Sequence, residues 1–256
     1  MISNIGDILQ LPIRCLLNKK ITKTFFKRNF ELTIAERSLI DKQILSVDWW
    51  ASLNEENINV PSYINDDINY EEVQVITVNI TEADFLTEQF KVAELIHKYI
   101  PYAILLCVYD IEQMVFSTFD KRINQKDTNK RIIDKRHFTE VIPLQDKTAL
   151  QHDFLNSLAF SNLRKTNLCE LYNSYTERIF ALQASNLNST FTVRTQKRTQ
   201  TDMLLLEKIV NLRQEIEKLS YTAKKETQLN KQVSINLQIK YKREEIAQLK
   251  LQIASE

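Results

Sequence analysis

Six side chains stand beside strand-forming runs where their chemistry could converge: Glu71, Glu72, Asp110, Glu112, Asp120 and Lys121. Clustered carboxylates with a lysine close by are what a metal-dependent nuclease needs to hold its ion at a phosphodiester. The spacing here is generic, and Glu71 and Glu72 point to opposite faces of an extended chain. His97, His137 and His152 lie far apart, with none of the H-x-x-x-H spacing of a helical metal site. Cys15, Cys107 and Cys169 are odd in number and widely spaced, which gives neither a disulfide framework nor a CxxC knuckle. Gly6 is the single glycine. A Walker A loop, a GxGxxG turn, a kinase Gly-rich loop and a GxSxG elbow all need more than one, so all four are excluded. The residues point to no catalytic group, no metal and no cofactor.

Charge is segregated although it nearly cancels, 34 Lys and Arg against 33 Asp and Glu. From Ile13 to Phe30 the bases Arg14, Lys19, Lys20, Lys23, Lys27 and Arg28 meet no acid. From Phe119 to Phe138 seven bases, Lys121, Arg122, Lys126, Lys130, Arg131, Lys135 and Arg136, face three acids. Such stretches can neutralise phosphates without reading sequence. Phe25, Phe26 and Phe30 interleave with Lys27 and Arg28, a pattern able to stack bases of a single strand. The nucleic-acid candidates are thus Lys20, Lys23, Lys27, Arg28, Lys121, Arg122, Lys130 and Arg131. The competing reading is a solvated face that pairs with the chain's own acids. Eleven of these lie between Val47 and Ile96, where Lys91 is the sole base.

The elements that must position these residues fall into three segments. In residues 1–145, Thr33 and Glu36 have capping-box spacing, and the helix after them carries Leu39, Ile40 and Ile44 on one face. Asn54 to Asn69 reads as a polar loop broken by Pro61. Val73–Ile80 is a β-branched strand, and a helix starts at Thr81 to Asp84, runs through His97 and stops before Pro101. Ala103–Asp110 and Gln113–Lys121 pair as a hairpin, and a short strand lies near Phe138–Ile142. Residues 146–200 hold helices, with Leu150, Phe154 and Leu158, then Leu168, Leu171, Tyr175, Ile179 and Leu182, at helical spacing. A polar linker or mobile loop follows over 184–202.

Residues 201–256 contain no Gly or Pro. Leu205, Ile209, Leu212, Ile216, Leu219 and Ala223 alternate at four and three, a heptad seam. Ile235, Ile239, Ile246, Leu249 and Ile253 resume it out of phase, with Lys242 in the seam. Between them Ser220 to Gln228 is polar, a helix-to-helix turn or a stutter. One long helix would need a partner surface for its stripe, whereas two would pack on each other. The partner-helix candidates are Leu205, Ile209, Leu212, Ile216, Leu219, Ile239, Ile246, Leu249 and Ile253.

The chain resembles a bacterial family of unknown function, number 4391. The resemblance rests on Phe116-Ser117-Thr118-Phe119-Asp120-Lys121-Arg122-Ile123-Asn124 and on Lys225-Glu226-Thr227-Gln228-Leu229-Asn230-Lys231-Gln232-Val233. Leu11-Pro12, Asn18–Lys23, the strand Val73–Ile80 and Ile100-Pro101 fit in order. It implies an accessory protein encoded beside helicases and DNA methyltransferases in restriction-like or phage-defence clusters, and it supplies no catalytic residue.

The expected fold is α+β: a small β-sheet domain with flanking helices, a helical segment, and a C-terminal coiled-coil helix or helical hairpin. The expected function is a non-catalytic adaptor in a DNA-processing or antiviral assembly. Its C-terminal helix docks a helicase, a DNA methyltransferase or a second copy, and its basic stretches approach nucleic acid. The alternatives are the metal-dependent nuclease and a structural coiled-coil oligomer without nucleic acid. Met1–Asp7 lacks the charged and apolar regions of a signal peptide, and no run reaches the ~18 apolar residues of a membrane span. A cytoplasmic setting without membrane contact is expected.

Overall fold

A computed structural model describes residues 5–188, 190–194 and 196–254. The elements in chain order are α1 (Ile5–Leu9), β1 (Leu16–Lys20), α2 (Lys23–Asn29), α3 (Ile34–Lys42), β2 (Ile44–Asn54), α4 (Glu55–Ile58), β3 (Tyr63–Ile64), β4 (Asn69–Tyr70) and β5 (Glu72–Ile80). Then come α5 (Phe85–Tyr99), β6 (Ala103–Tyr109), β7 (Gln113–Asn124), β8 (Asp127–Phe138), β9 (Ile142–Pro143), α6 (Ala149–Ser157), α7 (Leu168–Asn188), α8 (Gln196–Lys225) and α9 (Leu229–Ala254). The chain divides into two compact units between Leu182 and Gln183.

The first unit is built on a sheet of order β1-β2-β5-β6-β7-β8, with β9 beside β7. β5 and β6 are parallel, joined by the crossover helix α5, and the other pairs are antiparallel. Both central strands are buried almost throughout because both faces are covered, β6 with apolar residues alone and β5 with Gln74 and Thr77 among them. On one face Ile76, Val78, Ile80, Ile104, Leu106 and Val108 share a core with Phe26 of α2, Ile40 of α3 and Val92 and Ile96 of α5. On the other, Phe116 meets Phe154 of α6 edge-on, and Thr118 shares a hydrogen bond with Thr176 of α7.

Several local readings hold. Thr33 and Glu36 form the capping box, with Glu36 N donating to Thr33 Oγ1 at 3.2 Å and Thr33 N donating to Glu36 Oε2 at 2.8 Å. The β6–β7 hairpin turns without an Asn-Gly pair. Asp110 Oδ1 instead accepts the backbone N–H of Glu112 and Gln113 at 2.8 and 2.9 Å. Other readings are corrected. Ile44 does not lie on the face of α3: that helix ends at Lys42, and Ile44 opens β2. β1, β2 and β8 are strands that periodicity did not reveal, since their polar and charged residues mask the alternation. The stretch read as a loop after Asn54 contains α4, capped reciprocally by Asn54 and Asn57, and the β3–β4 pair. The strand near 138–142 resolves into the end of β8 and the two residues of β9. The polar stretch 184–202 is helical at both ends, because α7 reaches Asn188 and α8 begins at Gln196.

Candidate functional site

The second unit is a helical hairpin. Its turn falls within the polar interruption, where Gln228 N donates to Glu226 Oε1 at 2.9 Å and Gln232 Nε2 to Ala223 O at 3.3 Å. Lys224 and Lys225 in the last turn of α8 complement the negative end of its dipole. The heptad seam is used inside the hairpin. Ile209 and Leu212 of α8 cluster with Ile246, Leu249 and Ile253 of α9, and Leu205 and Ile216 flank them half-buried. Ile239 is buried and Leu219 half-buried. Lys242 sits at the seam's edge with its ammonium on Glu215, and Lys208 reaches Glu245 at 2.7 Å, so ion pairs of opposite sense cross between the antiparallel helices. Asp202, buried near the start of α8, takes Arg194 at 2.9 Å and Arg198 at 3.1 Å, and Arg198 also donates to Gln252 O near the end of α9.

With the seam internal, α9 still carries a second apolar stripe. Leu229, Val233, Leu237 and Tyr241 recur every four residues and are 72%, 51%, 48% and 66% exposed. Four large apolar groups in line on one helix face, bare to water, are a feature that scattered surface apolar residues do not produce.

The basic candidates separate. β1 and β8 are the opposite edges of the sheet, five strand spacings or about 24 Å apart at ~4.8 Å per strand, and Lys23, Lys27 and Arg28 stand off the sheet on α2. On the β1 side, Lys27 pairs with Asp41 at 2.6 Å, and Lys23 donates to Asp41 O at 3.1 Å. Lys20 and Arg28 are exposed and have no partner among the described residues. The interleaved phenylalanines are not a stacking ladder: Phe26 is wholly buried, and the rings of Phe25 and Phe30 pack edge-on against each other. On the β8 side, Arg122 pairs with Asp134 at 2.9 Å and Lys130 with Asp127 at 3.2 Å, while Arg131 Nη1 donates to Lys130 O at 3.2 Å. Arg136 pairs with Glu94 of the acidic segment, as the self-pairing reading anticipates.

Lys121 leaves the nucleic-acid set. It is 8% exposed, and its Nζ donates to Ile100 O at 2.7 Å and Tyr102 O at 2.8 Å, so it closes the carbonyl end of α5 from beneath. Burial, with Arg131 as the nearby like charge, lowers its ammonium to about 7. The signal lay in the alternation of β7, where Ser117, Phe119 and Lys121 share the face toward α5. Next to it the His97 ring stacks on Phe119 at 3.9 Å, with Nε2 3.3 Å from Ser117 Oγ. Its Nδ1 has no partner among the described residues, and burial holds His97 neutral, well below its usual range.

The carboxylates are not brought together. β5 and β6 pair in parallel with Val73 opposite Ala103 and Asn79 opposite Tyr109. Glu72 and Asp110 therefore sit at opposite strand ends, about 26 Å apart along the strands at ~3.3 Å per residue. Glu71 accepts from Asn69 Nδ2 at 3.0 Å, and Glu72 accepts from Gln74 Nε2 at 2.6 Å. Asp110 holds its own turn, and Glu112 is exposed beside it. Asp120, on the opposite face of β7 from Lys121, meets His137 Nε2 at 3.0 Å. Among the described residues no three His, Cys, Asp or Glu are grouped to hold a metal, and no helix is long and apolar enough to cross a membrane.

Across residues 9–246 the chain matches a family model described as domain of unknown function (DUF4391). No curated protein and no solved structure gives a significant match.

Proposed function

Because this chain belongs to the DUF4391 family, which supplies a lineage and no reaction, we propose a function from its surfaces: a non-catalytic adaptor subunit that docks a DNA-processing partner through its C-terminal hairpin. The observation that carries this is the bare stripe Leu229, Val233, Leu237 and Tyr241 on α9. The hairpin seam is already buried between α8 and α9, so folding of the hairpin does not require those four side chains. A helix face with anchors at four-residue spacing is a recurrent way of engaging a partner. Lys20 and Arg28, exposed and unpaired among the described residues, support a supplementary contact with phosphate on the sheet unit. The partner class is the one the family resemblance implies, a helicase or a DNA methyltransferase.

The test is capture from native cells of the tagged full chain and of a variant with Leu229, Val233, Leu237 and Tyr241 each changed to Gln, both treated with nuclease. Recovery of a helicase or methyltransferase by the wild type and its loss from the variant is the expected result. Equal recovery by both chains overturns docking through α9, and recovery of further copies of the chain alone replaces the adaptor with an oligomer.

A further inference from the structure

At the carboxyl ends of β5 and β6 the sheet face turned away from α5 changes character. Lower on the same face Val73, Val75, Ala103, Leu105 and Cys107 are buried and apolar. Then come Thr77 and Asn79 on β5 and Tyr109 on β6, and the register sets Ser46 of β2 opposite Asn79 and Asp48 opposite Thr77. These side chains, with Lys20 and Trp50, line a cavity of about 440 Å³. That is within the usual size of a small-molecule site, and it lies at the carboxyl ends of the parallel pair β5 and β6.

Two acceptors in it have capacity for further donors. Asp48 Oδ2 takes the Ser46 hydroxyl at 2.9 Å, and the described residues offer Asp48 no other donor. The Asn79 Oδ1 is buried with no partner among the described residues. Leaving such an oxygen unmatched costs about 1–3 kcal/mol. Asn79 lines the cavity and its terminal amide torsion is soft, so reaching a ligand there takes a rotation of that group.

We infer that this cavity binds a nucleobase presenting two adjacent N–H donors, as guanine does along its pairing edge. The Asp48 carboxylate accepts the two donors side by side, the geometry in which a carboxylate binds most strongly. Asn79 accepts from the remaining amino hydrogen. Trp50 and Tyr109 give aromatic surface to a flat ring, a contact that an aliphatic amine could not use as well. Lys20, exposed at the rim, meets the phosphate the base carries. The site lies wholly in the sheet unit and stands independently of docking through α9.

Trp50 provides the readout. Its fluorescence is followed in the full chain carrying Trp49→Phe, titrated with GMP, AMP and short single strands of dG or dA. GMP is expected to quench and AMP to bind about tenfold more weakly or less, since adenine lacks the second donor. Asp48→Asn should lose GMP by about tenfold or more while unfolding at the same temperature. Asn79→Leu should unfold at a higher temperature yet bind GMP more weakly, a combination that a purely structural role does not produce. Tighter binding of the dG strand assigns the base to nucleic acid, and tighter binding of GMP assigns it to a free nucleotide; both support base recognition. Equal affinity for GMP and AMP, an unaffected Asp48→Asn chain, or no quench by GMP or the dG strand up to about 1 mM overturns the inference.

Discussion

In β6 every residue from Ala103 to Tyr109 is buried. In α9, 26 residues long, four are buried: Ile239, Ile246, Leu249 and Ile253. The sheet unit is three layers thick, helices on either side of the strands, whereas the hairpin is a single seam. A three-layer core constrains nearly every residue it contains. A single seam constrains one position in three or four and leaves the remaining surface to vary with the partner. The part of the molecule that is most determined by folding is therefore least suited to docking, and the reverse holds for the hairpin.

The sharpest break in that comparison is a pair of truncations. Phe116→Ala, which removes a wholly buried ring packed on Phe154, should destabilise the sheet unit by about 3–5 kcal/mol. Ile246→Ala, in the seam, should cost about 2 kcal/mol, read as faster amide exchange confined to α8 and α9. Exchange that accelerates in β5 and β6 as well would show that the two units do not open separately.

Polar groups in the core separate the units further. The β6–β7 ladder runs from Leu106 opposite Ser117 to Tyr109 opposite Met114. Beyond it the Tyr172 hydroxyl of α7 stands between the strands: it accepts from Phe119 N at 2.9 Å and lies 3.2 and 3.0 Å from the carbonyls of Ile104 and Phe119. Tyr172→Phe leaves the Phe119 N–H buried without an acceptor and should cost about 2 kcal/mol in urea unfolding. A neutral result would mean that the strands close over the gap.

Lys121 gives the sheet unit a pH dependence. Its folded ammonium releases the proton near 7, while an unfolded lysine holds it to about 10.4. Between those values the unfolded chain binds more protons, so the lysine's contribution to stability rises with pH. Wild type should gain about 2 kcal/mol on a Lys121→Met chain between pH 7.5 and 9, and the difference between the two chains removes the cysteine titrations common to both. Parallel curves would show that Lys121 is not desolvated. His97 acts in the acid range with the same sign: neutral when folded, it draws the equilibrium toward the protonated unfolded chain as pH falls below about 6.5.

How much of this was legible depends on whether one face of an element had to be apolar. β5, α5 and the β6–β7 hairpin were readable because burial on both faces, or on one helical stripe, leaves a periodic trace. β1 and β8 are edge strands whose charged side chains point to solvent, and edge strands carry charge to resist pairing with other chains, so composition there resembled a binding stretch. Lys121 was misplaced for a related reason: a lysine in a basic run reads as surface, although alternation with Ser117 and Phe119 puts it inside. The cavity beside Asp48 was invisible because its residues come from α1 and four strands that only the folded sheet brings together. The heptad seam was plain, but one helix or two depended on the stretch 226–228, which contains neither Gly nor Pro to mark a break.

The smallest expected effect on stability is the most informative about the hairpin. Changing Leu229, Val233, Leu237 and Tyr241 to Gln replaces side chains that are 48–72% exposed, so each should alter stability by no more than about 0.5 kcal/mol. Gln is also a good helix former, whereas Val233 and Tyr241 are poorer ones, so the isolated chain should be unchanged or slightly more stable. Circular dichroism melts of the single and quadruple variants measure this directly. A marked loss of stability would mean that the stripe already packs within the chain, which removes it as a docking face. An unchanged melt joined to loss of the partner would place those four side chains under selection for association, with folding left to the seam on the opposite face of the same helix.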